Sequence, residues 1–97
     1  MAQELAKVCR FQAVIQGRVQ GVGFRQYAQE RAESLGLSGY VRNSWDRTVE
    51  VVAEGPETEI KAFLVWLNEG PPLAQVSKVN VHWLAPTGEY TGFEVAY

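Results

Sequence analysis

The sequence predicts an α+β fold: a split β-α-β sandwich whose antiparallel sheet carries two helices on one face. Three observations point there. The apolar period switches from two to about 3.6 and back, twice, so the order reads β-α-β-β-α-β with a short terminal strand. Each helical crossover is long enough to skip a strand position, which lets the two halves interleave. The strands alternate on one side only, as a sheet does when one face is covered by helices and the other faces water.

Each element has its own warrant. Cys9, Phe11, Ala13 and Ile15 form one face of the first strand, while Arg10, Gln12 and Gln16 interrupt the other. Residues 17–24, GRVQGVGF, hold three glycines in seven positions and no proline. From Phe24 to Leu35 the spacing is helical: Phe24, Ala28, Ala32 and Leu35 share a stripe, and Gly36 is a natural stop. Strands are expected at Leu37–Asn43 and Thr48–Glu54, joined by a Ser44-Trp45-Asp46-Arg47 turn. Gly55-Pro56 opens the second helix, with Pro56 at its first position and Glu57 and Glu59 in the first turn. Its stripe is Ile60, Phe63, Leu64 and Leu67, with Trp66 off it, and Gly70-Pro71-Pro72 ends it. Val79, Val81 and Trp83 alternate along a fourth strand, and Phe93, Val95 and Tyr97 along the last. Together these make a ferredoxin-like sandwich.

Composition bounds the function. At 97 residues the chain is expected to be a single domain, 1–97, and a stand-alone protein. Apolar residues make up 46% and charged residues 21%, a globular balance. The net charge of −2 argues against a broad basic surface for nucleic acid and leaves room for a local anion pocket. Cys9 is the only cysteine, so neither an intramolecular disulfide nor a Cys-rich metal cluster can form. It falls on the core-facing side of its strand and reads as a small buried hydrophobe. The first residues carry no apolar leader segment, and no run approaches the ~20 apolar residues that cross a bilayer. A monomer of a reducing cytoplasm is the expectation.

The chemistry concentrates in GRVQGVGFR, which runs from a strand into the first turn of a helix. Gly21 and Gly23 can take positive φ angles, so consecutive N–H groups can converge as an anion nest. The helix N-terminus behind them adds free donors and partial positive charge. Arg25 sits where the helix dipole prefers an acid, an arrangement that a bound dianion makes favourable. The loop is neither a dinucleotide fingerprint, since position 26 is Gln, nor a Walker loop, since positions 22 and 23 are Val and Gly. A glycine-rich connection beside a surface arginine is the plainer alternative.

GRVQGVGFR, followed by GYVRN at 39–43 and DRTVEVVAEG at 46–55, closely resembles the acylphosphatase family, and the likeness covers nearly the whole chain. The resemblance implies hydrolysis of the carboxyl-phosphate anhydride of small acyl phosphates, releasing inorganic phosphate, with no metal and no cofactor. By position it implies a phosphate loop of Gln20, Gly21, Val22, Gly23 and Phe24, a catalytic arginine at Arg25, and a water-orienting asparagine at Asn43. The family usually has Gly after the hairpin aspartate, where this chain has Arg47, a residue that tolerates positive φ poorly. Trp45 occupies a position often given to proline.

These residue types suit the reaction. Carboxylate is a good leaving group, so the demand is to hold the phosphoryl oxygens and aim a water in line. Asn43 can accept from a water and donate to a phosphoryl oxygen at once, but an amide is a poor base. His82 reads as a surface residue beside Lys78 and Asn80. Arg42 points to the face opposite Asn43, and Arg18 stands at the loop mouth. Glu50 and Glu54 share a strand face, where acids would repel phosphate. Whether the Tyr97 carboxylate pairs with an arginine stays open. A second reading is a binding or regulatory module that holds a phosphate-bearing ligand without cleaving it. A third, a single-strand RNA reader, needs aromatics on the open face of the two central strands and usually a basic surface; the first strand is the one to check. Val8, Arg10, Gln12, Val14 and Gln16 supply none.

Overall fold

The structure is a computed structural model and describes residues 7–97; the expectation that the chain lacks a leader falls partly on residues 1–6, outside the described span. β1 (Val8–Arg18), α1 (Phe24–Ser34), β2 (Ser38–Asn43), β3 (Val49–Pro56), α2 (Glu57–Glu69), β4 (Gln75–Leu84) and β5 (Phe93–Ala96) follow one another along the chain. The sheet order is β4-β1-β3-β2-β5, the interleaving that the two crossovers require. Both helices lie on one face. Phe11, Ala13 and Ile15 from β1 are fully buried with Ala28 and Ala32 from α1 and Ile60, Phe63 and Leu67 from α2. The two alanines leave room for α1 to lie close against the sheet. Trp66 is half-buried, its ring 5.6 Å from that of Phe24 and stacked on that of Phe63 at 6.2 Å.

β4, β1, β3 and β2 each pair antiparallel with their neighbours, but β5 pairs parallel to β2, so the sheet is mixed and not wholly antiparallel. The direction follows from where β4 ends. Leu84 pairs with Arg10, Arg10 with Glu54, and Glu54 with Ser38, so β4 finishes at the end of the sheet where β2 starts. The chain from Ala85 to Gly92 crosses the sheet at that end, and any strand it enters must run the same way as β2. Eight residues reach about 26 Å and four strand spacings cover about 19 Å, so the span fits.

The crossing strap also changes the open face, which water covers only in part. Glu54 accepts hydrogen bonds from the Thr87 and Gly88 amides at 2.9 and 2.8 Å, and Arg10 pairs with Glu89 at 2.8 Å. Tyr90 packs edge-on against Tyr40 at 5.8 Å. Glu50 is bonded by Gln12, Tyr40 and Arg42. Burial raises the Glu50 carboxyl, but those three donors outweigh it and hold the group below the usual carboxylate range. Both acids serve the fold.

Three smaller expectations shift. Pro56 caps α2 from just outside instead of occupying its first position. Cys9 is half-buried, its sulfur 3.9 Å from Glu57, and not wholly enclosed. β1 runs on to Arg18 through an irregularity between Gln16 and Gly17, so the first glycine of the motif belongs to the sheet. A Cβ on Gly17 would stand 2.1 Å from the Gln75 carbonyl oxygen. That glycine permits close strand approach.

Candidate active site

β1 delivers the chain to the loop through Val19, which is buried and anchors it. Gly21 and Gly23 have φ of 74° and 78°, the left-handed region that an anion-binding nest of backbone amides uses. Gly23 is the residue at which α1 begins. Among the described residues no side chain caps that terminus and no acid lies in its first turn. Its leading N–H groups are therefore available to an anion. Gln20 takes a different part. Its amide donates to the Ser44 and Thr48 carbonyls at 2.8 and 2.9 Å, locking the loop to the β2–β3 hairpin.

Asn43 ends β2 beyond buried Val41, on the helix-bearing face, because every second residue of that strand points there. Arg42 points to the opposite face and pairs with Glu50. Arg25 leaves the first turn of α1, where its Nη1 donates to the Ala96 carbonyl at 3.3 Å. Its guanidinium lies 4.7 Å from the centroid of the Tyr97 ring. Arg25 and Asn43 line a single cleft of about 430 Å³ together with Gly21, Gly23 and Phe24. Gln20 and Val22 are absent from its wall: Gln20 braces the loop, and Val22 packs against the core.

Gln29 and Tyr97 also belong to the cleft, and no motif in the sequence marks them as site residues. Gln29 stands four residues after Arg25 on the same helix face, a spacing that could have flagged it. Its amide donates to the Phe93 carbonyl at 3.0 Å and ties α1 to β5. Tyr97 needed the β5 pairing to reach the site; it meets Arg25 with its ring, and among the described ion pairs none uses its carboxylate. His82 is exposed beside Gln12 on the open face, away from the cleft.

The acylphosphatase family profile matches residues 11–95. This chain belongs to the acylphosphatase family. It is 51% identical over 86 residues to the acylphosphatase of Thermus thermophilus, covering 89% of this chain and 97% of the relative. To that of Pelotomaculum thermopropionicum it is 43% identical over 88 residues, covering 91% and 96%. The crystal structure of the Bacillus subtilis acylphosphatase matches with a TM-score of 0.88 at 34% identity, covering 92% of this chain and 99% of that one. At Arg47, where the family usually has glycine, the backbone keeps the glycine-like conformation, φ 73°, the one positive φ outside glycine among the described residues.

Proposed function

We infer that the chain is an acylphosphatase, a hydrolase that cleaves the carboxyl-phosphate anhydride of small acyl phosphates to carboxylate and inorganic phosphate. The phosphoryl oxygens sit in the amide nest of residues 20–24, with Arg25 gripping two of them through its planar fork. Asn43 orients a water in line with the leaving oxygen. The water oxygen forms the new bond to phosphorus as the phosphorus–carboxyl oxygen bond breaks, its electron pair leaving with the carboxylate. The proton passes to a phosphoryl oxygen, since Asn43 cannot take it. Preorganised donors aimed at the developing charge supply the acceleration, and this scheme calls for no metal or cofactor.

The supporting observation is that Gly21, Gly23, Arg25 and Asn43 line one cleft. No helix among the described residues is long and apolar enough to cross a membrane. We assign the protein to the cytoplasm as a monomeric single domain without a nucleic-acid partner. The test is benzoyl phosphate hydrolysis with EDTA present. Wild type turns the substrate over, Arg25→Ala loses nearly all activity, and Asn43→Ala falls on the order of 10²–10³-fold, the effect of deleting one oriented donor. Full rates in either folded variant would remove that residue from its role, and no wild-type turnover would leave the silent-binder reading.

A further inference from the structure

A second cavity of about 450 Å³ lies behind the loop, lined by Gly17, Arg18, Val19, Gln20, Gly21 and Arg47. It shares Val19 and Gly21 with the wall of the first cleft, so the two adjoin across the loop. Nothing lies within 4 Å of where a Cβ on Gly21 would stand, so the space beside this shared glycine is open. We propose that this cavity is a subsite for a second anionic group, a carboxylate or a phosphate, carried on the acyl portion of the substrate and gripped by Arg18 and Arg47. The proposal rests on the acyl-phosphate reading and adds a specificity to it.

Four observations carry the assignment. Arg18 and Arg47 both line the one cavity, and a guanidinium offers a fork that matches carboxylate or phosphate oxygens. No Asp or Glu side chain lines either cavity. Among the described residues, neither Arg18 nor Arg47 has a side-chain ion pair, whereas Arg10 and Arg42 do. Arg47 is held in a backbone conformation that favours glycine, a local cost that a ligand-binding side chain would account for. The brace from Gln20 to Ser44 and Thr48 brackets Arg47 on both sides and keeps it in register with the loop. Asp46, its chain neighbour, is bonded to Thr48.

The readout is the ratio of kcat/KM for 3-carboxybenzoyl phosphate to that for benzoyl phosphate, measured with EDTA. Arg18→Gln and Arg47→Gln each lower this ratio roughly threefold and the double variant about tenfold, the scale of exposed ion pairs. Arg47→Lys keeps most of the wild-type ratio because the charge remains. Arg47→Gly, which suits the backbone, lowers it as Arg47→Gln does, so misfolding is not the cause. Lys61→Gln removes the same charge near Cys9, about 30 Å away along β1, far beyond the ~10 Å screening length. It leaves the ratio at the wild-type value. An unchanged ratio in the arginine variants, or an equal fall in Lys61→Gln, overturns the subsite while the hydrolase reading stands. Absence of wild-type turnover on benzoyl phosphate takes both down.

Discussion

Replacing Arg47 by glycine should make the protein more stable. Arg47 is at φ 73°, where a Cβ crowds the following carbonyl and costs about 1–2 kcal/mol. Glycine removes that cost but loses more freedom on folding, about 0.5–1 kcal/mol. The net expectation is a gain of about 0.5–1 kcal/mol. The turn itself does not depend on the arginine side chain. The Ser44 amide donates to the Thr48 carbonyl at 2.9 Å, the Arg47 amide donates to the Ser44 carbonyl at 3.1 Å, and Asp46 accepts from Thr48. Glycine keeps every one of these bonds. Urea unfolding at neutral pH should show a higher midpoint with an unchanged slope. For a domain of this size the melting temperature should rise by about 2–8 °C. An equal or lower midpoint would mean that the guanidinium makes a stabilising contact worth as much as the strain, and the steric argument would be wrong.

Two further outcomes test the framework around the site. Glu50 titrates below its ordinary value in the folded state, so its stabilisation is present above about pH 4.3, the usual value, and is lost as pH falls through the folded value. The urea midpoint should therefore drop below about pH 4; Glu50→Gln should cost about 2 kcal/mol at pH 7 and flatten that decline. In Gly39→Ala a Cβ would lie 1.9 Å from the Val52 carbonyl oxygen at φ 139°, so at least about 3 kcal/mol should be lost. A midpoint within error of wild type in the same urea titration would contradict the close β2–β3 approach.

What was legible in the sequence is what periodicity and glycine placement encode. Phe11, Ala13 and Ile15 read as one face because strand parity is local, and they are fully buried. Positive φ at Gly21 and Gly23 and the opposite faces of Arg42 and Asn43 follow from equally local rules. The direction of β5 was not legible. It depends on the strap from Ala85 to Gly92, which is pinned by Arg10 and Glu54 from two other strands. Tyr97 joins the cleft only through that pairing, which brings the far end of the chain beside Arg25. Gly17 reads as part of the loop because its partner, Gln75, is far away in sequence.

The net charge of −2 is misleading about the site, and the fold explains why. Glu50, Glu54 and Glu89 are drawn onto the open face and its strap, where Arg10 and Arg42 neutralise them. The register does this: Arg10 faces Glu54 across β1 and β3, and Arg42 faces Glu50 across β2 and β3. The opposite edge of the loop keeps Arg18, Arg25 and Arg47 with no acidic side chain in either adjoining cavity. An acidic protein thereby presents a cationic pocket, and focusing by the low-dielectric walls strengthens its pull on anions. The separation implies that added salt should slow turnover chiefly through KM, since screening weakens attraction of the substrate more than contacts already made inside the cleft.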